Sequence, residues 1–172
     1  MIRRADPIDA ETIATWLSDP ETNRFLTDNL RDVRLSPQLV RVALRRPDQA
    51  WYVFDNSSFS ATNTPIGLIA LDNIEETDRV ANLWFVLGEK SLSRRGITSR
   101  AIVKFCEDNP LSLKVATAWA AGVNTASMHC LSRAGFDRIG EIPDAVTLKD
   151  GSQTTRVIFA RALKQQQCGK QN

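Results

Sequence analysis

The chain predicts an α+β fold, a mixed sheet of about seven strands covered by four helices. Three observations point there. Short blocks of β-branched, aromatic and aliphatic residues recur along the chain and read as strands. Four longer stretches place apolar residues at helical spacing. Polar turns join the early strands directly, whereas helices separate the later ones, so hairpins give way to strand–helix alternation.

In order, Ile2 to Ala5 reads as an edge strand, and Asp6-Pro7 as a helix start. Ile8, Ile13, Trp16 and Leu17 recur on one helical face until Asp19-Pro20 stops the run. Ser36-Pro37 opens a second helix, with serine as N-cap, proline at the first position and an apolar face of Leu39, Val40, Val42, Ala43 and Leu44. Strands follow at Trp51–Phe54, Pro65–Leu71 and Ala81–Leu87, with polar residues 56–64 and 73–79 as hairpin connections. Thr98–Glu107 is helical, with Ala101, Ile102, Phe105 and Cys106 inward and Asn109-Pro110 as its end. Leu113–Ala120 is a strand, and Asn124–Ala134 a helix with an asparagine N-cap and Gly135 as terminator. Phe136–Ile142 and Thr154–Arg161 close the sheet across a loop containing Pro143 and Asp150-Gly151. Residues 1–163 read as a single domain and 164–172 as a flexible tail without apolar periodicity.

Composition excludes several classes. With 42% hydrophobic and 24% charged residues the chain is neither disordered nor a coiled coil. No apolar run approaches the ~18 residues of a membrane span, and the opening MIRRADPIDAET lacks the apolar core of a secretory signal, so a cytoplasmic protein is expected. The 22 basic and 20 acidic residues give a charge of +2, too balanced to imply a nucleic-acid or membrane partner. Three cysteines without CxxC spacing and one histidine argue against a zinc site, and no metal is expected; reduced thiols are the simplest reading.

Two stretches carry chemistry. In LWFVLGEKSLSRRGITSRA, from Leu83 to Ala101, a strand ends, a short loop follows and a helix begins. A loop feeding a helix start presents unpaired N–H groups and the positive end of the dipole, which suits a phosphate; Gly96 allows close approach, and Arg94 and Arg95 add charge. Neither a Walker loop nor a GxGxxG fingerprint is present. The plain alternative is a helix start capped by Ser93 or Thr98 beside two surface arginines. In VNTASMHCLSRAGF, Asn124 sits where a strand yields to a helix and Ser127 lies one turn later; read alone, Asn124 is an N-cap.

Taken together and in this order, the two stretches resemble the GNAT superfamily of N-acetyltransferases, especially its RimJ/RimL-like branch. Ser93-Arg94-Arg95-Gly96-Ile97-Thr98 matches the family's Q/R-x-x-G-x-G/A loop around Gly96, with serine and threonine at the flanking positions. Asn124, Ser127, Arg133, Gly135 and Phe136 match its N-x-x-S/A and K-x-G-F spacing. IRRADPIDAETIATWLSDPETNRFL looks like the branch's opening strand and helix, and PIGLIALDNIEETDRVANLWFVLGE like its central hairpin.

The resemblance implies a mostly antiparallel sheet whose fourth and fifth strands splay apart around acetyl-CoA as co-substrate. The gap would lie between the strands ending at Leu87 and Ala120. Backbone groups of Phe85, Val86 and Leu87 would pair with the pantetheine arm. Amides of Arg94, Arg95, Gly96, Ile97, Thr98 and Ser99 would hold the pyrophosphate, and Asn124 and Ser127 would contact pantetheine from the far side. The expected reaction is direct attack of an amine on the thioester. It needs a base for the ammonium and a donor for the oxyanion. The N–H near Val86 or Leu87 is the candidate donor. Among carboxylates at or past a strand end, Asp72 and Glu76 are the candidate bases, with Glu75 beside them. Many relatives protonate the thiolate with a tyrosine seven residues after the motif asparagine; here that place is Leu131, and the only tyrosine, Tyr52, lies on an early strand. Trp119 would wall the acceptor pocket or pack as a core aromatic, His129 reads as a surface residue and Cys130 as a packed thiol.

The acceptor is a primary amine: a protein N-terminus, an amino sugar, a polyamine, an aminoglycoside or another small amine. Asp28, Asp32, Asp72 and Glu76 are candidates for an acidic pocket favouring cations. A second reading is a non-catalytic acyl-CoA-binding module acting through a partner, and a third an RNA-associated module resting on the paired arginines alone. No motif reads out the oligomeric state, and a homodimer stays open.

Overall fold

The computed structural model describes residues 1–26, 35–55 and 64–164. Most of the first predicted hairpin loop, the terminal tail, and Asp28 and Asp32 lie outside them.

Seven strands form one sheet in the order β1-β2-β3-β4-β5-β7-β6. They are β1 (Ile2–Arg4), β2 (Ala50–Asp55), β3 (Pro65–Glu75), β4 (Val80–Leu87), β5 (Val115–Ala121), β6 (Asp137–Thr147) and β7 (Gln153–Ala162). All neighbours are antiparallel except β4 and β5, which run parallel. That one parallel pair needs a crossover, and α4 (Ile97–Asp108) supplies it. The other helices among the described residues are α1 (Ala10–Ser18), α2 (Pro20–Asn23), α3 (Pro37–Ala43) and α5 (Thr125–Arg133).

Alternation along each strand divides the core in two. Ile69, Leu71, Ala81, Leu83, Ala116, Ala118 and Ala120 point to one face and pack with Ile97, Ile102, Phe105 and Leu131 of α4 and α5. Leu68, Ala70 and Val86 point to the other and pack with Ile13, Trp16 and Leu17 of α1 and Val40 of α3. Trp16 sits so close to the end of β4 that a Cβ on Gly88 would stand 2.1 Å from its ring, so only glycine lets α1 seat there.

Differences from the sequence expectation are local. Asp19-Pro20 starts a helix as well as stopping one: the Asp19 carboxylate accepts from the Thr22 N–H at 2.7 Å and Pro20 takes the first position, which adds a helix to those expected among the described residues. Ile8 is 81% exposed because the Asp6-Pro7 start is a 3-10 turn, whose three-residue period takes Ile8 out of phase with Ile13 and Leu17. In α3 only Val40 is fully buried, whereas Leu39 and Val42 are exposed, since one stripe of so short a helix meets the sheet. Strand β6 runs past Pro143 to Thr147, because the ladder shifts register between Ile142 and Val146 and requires no N–H from the proline.

Candidate active site

Strands β4 and β5 pair only at Val80–Val115, Ala81–Ala116 and Asn82–Thr117. Both then continue, β4 to Leu87 and β5 to Ala121, each still held by its outer neighbour. The result is a V-shaped opening through the sheet and a cleft of about 740 Å³. Residues on both faces of the sheet line it.

The ladder geometry also decides which backbone groups are free. Beyond the strand end, the Gly88 N–H donates to the Ile66 carbonyl at 2.9 Å, and the Thr117 hydroxyl donates across to the Ala81 carbonyl at 3.3 Å. Alternation from these two points directs the N–H and C=O of even-numbered β4 residues at β3, and those of Leu83, Phe85 and Leu87 into the opening. Of the three backbone positions expected to meet a pantetheine arm, Phe85 and Leu87 therefore present theirs. Val86 does not: its amide faces β3 and its side chain packs in the α1 core.

On the α4 face, the cleft ends at the loop preceding that helix. Gly96 occupies the left-handed region (φ 66°), and so does Arg94 (φ 61°). No side chain among the described residues caps α4. The α2, α3 and α5 starts, by contrast, are capped by Asp19, Ser36 and Asn124. Neither Ser93 nor Thr98 acts as the cap that the plain reading supposes. The Ser99 hydroxyl donates to the Gly96 carbonyl at 3.0 Å and so does not cap the start; the first-turn amides of Ile97, Thr98 and Ser99 stand at the positive end of the dipole without a side-chain cap. A Cβ on Gly96 would come within 3.3 Å of the Arg100 guanidinium and 3.9 Å of that of Arg133. Arg94, Arg133 and Lys90 line the cleft, whereas Arg95 does not, its carbonyl accepting from Arg100 at 3.1 Å. This cradle of amides and cations fits a diphosphate.

Asn124 and Ser127 line the same side, but the Asn124 side-chain oxygen is engaged in accepting from the Ser127 N–H at 3.2 Å. Exposed His129 stands at the rim. The Cys130 thiol is pushed up to about 12 by burial, so it is not a nucleophile near neutrality. Leu131 is buried in the core, and Tyr52 packs edge-on against Phe105 at 4.9 Å, outside the cleft.

On the opposite face, Asp72, Asn82, Trp84 and Trp119 line the cleft. Asp72 and Asn82 are direct cross-strand partners, and the Asn82 amide donates to the Asp72 carboxylate at 2.8 Å. Burial pushes the Asp72 carboxyl up, the Asn82 hydrogen bond pulls it down, and nearby Asp48 raises it; the net direction is upward. Asp72 thus sits half-buried at the apex of the V. Glu76 does not: it is exposed on the β3–β4 turn and lines a separate recess with Arg4 and Arg79. The alternation that brings Asp72 to the apex ends at the turn, which carries Glu76 away from the opening.

Sequence reasoning missed Trp84, Arg133 as a charge at the cradle, and the α2 segment. Lys90 pairs with Asp19 and with Glu21, the latter at 2.8 Å, and Lys149 donates to the Asn23 side-chain amide oxygen at 2.6 Å. These contacts hold the α2 segment, with Thr22, Phe25 and Leu26, along the cleft. The strand phase shared with Asp72 would have flagged Trp84; nothing local announces the α2 contacts.

The Acetyltransferase (GNAT) domain family model matches residues 1–137. The chain belongs to this GNAT acetyltransferase family. No curated protein sequence matches closely enough to add a relative. Solved structures share the fold. A spermidine N-acetyltransferase from Vibrio cholerae in complex with CoA and spermine aligns with a TM-score of 0.79 at 14% identity, covering 95% of each chain. A ribosomal-protein-S5-alanine acetyltransferase from Vibrio fischeri aligns with a TM-score of 0.71 at 17% identity, covering 95% of this chain and 92% of that one. GNAT acetyltransferases use acetyl-CoA, and acetyl-CoA is accordingly the co-substrate here.

Proposed function

We propose that this chain is an acetyl-CoA-dependent N-acetyltransferase that transfers the acetyl group to a primary amine by direct attack, within the RimJ/RimL-like branch of its family. The observation that carries the reading is the opening itself: one lip-lined passage joins an uncapped, cation-flanked helix start on one face to a half-buried carboxylate on the other.

Acetyl-CoA supplies a carbonyl carbon with a thiolate leaving group. The diphosphate would rest on the amides of Ile97 to Ser99 near Arg94 and Arg133, and the pantetheine amides would pair with the inward backbone groups of Phe85 and Leu87. Asp72 takes a proton from the acceptor's ammonium, which frees the nitrogen lone pair to form the C–N bond; as the C–S bond breaks, the departing thiolate takes the second proton that the nitrogen sheds, leaving the amide and free CoA thiol. A raised carboxyl is the better base for this step, because its proton affinity lies closer to that of the amine. Asn82 holds the carboxylate in place. The Leu87 N–H donates to the negative charge developing on the carbonyl oxygen.

No side chain of the described cleft matches the tyrosine acid of many relatives, and buried Leu131 occupies its place. That observation favours the second reading, acyl-CoA binding without turnover. Thiol release decides between them. The protein with acetyl-CoA and a panel of primary amines is expected to release free CoA in proportion to acetylamine formed. Stabilisation by acetyl-CoA with no thiol from any amine would leave the binding-only reading standing.

A further inference from the structure

The acceptor face of the opening has a chemical character that the family assignment does not supply. Continuing the β4–β5 register past Asn82–Thr117 would set Trp84 opposite Trp119. Because the strands part there, the two indoles stand instead on the two lips of the V, on the face shared with Asp72. Each is braced from outside. Trp84 packs edge-to-face on Trp51 at 5.5 Å, across Ala70, which pairs with both and is small enough to let the rings meet. Trp119 lies against the Arg156 guanidinium, 4.5 Å from its ring. Phe25, under the Arg24 guanidinium at 4.5 Å, lines the same cleft.

The charges are as telling as the rings. Among the described residues only two carboxylates line the cleft, Asp72 and Glu21, and Glu21 is paired with Lys90. Arg24 adds positive charge at the cleft, and Lys90 is balanced by Asp19 and Glu21. A polyamine carries several ammoniums and needs a carboxylate, or an uncontested aromatic face, for each. Among the described residues one carboxylate outside an ion pair, Asp72, serves the reacting nitrogen, guanidiniums already cover Trp119 and Phe25, and Arg24 stands at the same cleft. A flat apolar body meets braced rings whose burial and edge contacts favour it.

We propose that the acceptor is a monoamine bearing a flat apolar body, an arylalkylamine or a peptide beginning with an aromatic residue, whose ring lies between Trp84 and Trp119 while its amine reaches Asp72. The proposal rests on the acetyltransferase reading above and narrows it.

The test compares 2-phenylethylamine, tryptamine and a Phe-initiated dipeptide amide with spermidine, by thiol release from acetyl-CoA and by calorimetric binding to the CoA-loaded protein. The aromatic monoamines are expected to exceed spermidine in kcat/KM by at least about tenfold, from the free energy of burying a ring. Trp119→Ala is expected to erase that preference through KM, with kcat nearly unchanged, and Trp119→Phe to restore most of it; acetyl-CoA stabilisation in both variants reports that they fold. Equal or better use of spermidine, or a preference that survives Trp119→Ala, overturns the proposal while leaving the acetyltransferase reading intact. Tight binding of the aromatic amines without thiol release supports the pocket and overturns the catalytic reading instead. Failure of the aromatic amines to bind overturns the proposal outright.

Discussion

The two faces of this sheet meet at one opening but are built by different means. On the α4 face recognition is by backbone: first-turn amides at an uncapped helix start, a left-handed glycine, and strand groups left unpaired by the splay. On the α1 face it is by side chains, Asp72, Asn82, Trp84 and Trp119, selected by strand phase. A backbone site tolerates side-chain change wherever φ and close approach are preserved. A side-chain site can exchange its ligand without disturbing the fold. The difference explains how one scaffold can keep a co-substrate fixed while its acceptor varies.

The largest expected effect separates the faces most sharply. Asp72→Asn keeps the shape and the Asn82 contact but removes the proton acceptor, so kcat/KM for the amine should fall by about a hundredfold to ten-thousandfold. Thermal stabilisation by acetyl-CoA should be unchanged. The variant should be at least as stable as the parent near neutrality, because it no longer buries a charge. A fall in acetyl-CoA affinity of the same size would show that the two faces are not separable. Gly96→Val is the converse experiment. A β-branched residue at φ 66° costs about 1–2 kcal/mol of backbone strain and covers the approach to the amides. The acetyl-CoA KM should rise about ten- to a hundredfold, while the relative preference among amines stays as in the parent.

How much of this was legible in the sequence follows the same division. The helix-start loop announced itself because Gly96, two arginines and a helix pattern are contiguous, and so did the succession of strands and helices along the chain, because turn residues and apolar periodicity are local features. Which carboxylate reaches the opening was not local. Asp72 and Glu76 are four residues apart and chemically alike, but one is still in the ladder and the other has left it. Val86 was grouped with Phe85 and Leu87 because the motif marks a strand, whereas the ladder alternates which residues turn their amides outward. Pairing of Lys90 with Glu21 and of Lys149 with Asn23 joins segments far apart in the chain, and no periodicity encodes such contacts.

Asn82→Leu probes the smallest effect and the finest part of the comparison, how the side-chain face sets the proton affinity of its base. Burial is the largest influence on Asp72 and raises its carboxyl; the Asn82 hydrogen bond is the opposing one, and the Asp48 charge adds to burial. Removing the amide donor leaves burial unopposed, so the carboxyl moves further up. The acid limb of kcat/KM, which in the parent already lies above the ordinary aspartate value, should shift toward higher pH, with little change on the alkaline plateau where Asp72 is ionised in both proteins. Stability must move with it. A carboxyl that holds its proton more tightly folded than unfolded is most favourable below the ordinary aspartate value, and that advantage is lost as pH rises through the raised folded value. The Asn82→Leu protein should therefore lose more melting temperature than the parent between acid and neutral pH, relative to Asp72→Asn as the reference without that titration. A limb that stays in place while the melting curves diverge would mean that another group supplies the base, and that Asp72 is a buried charge of the sheet rather than the proton acceptor of the reaction.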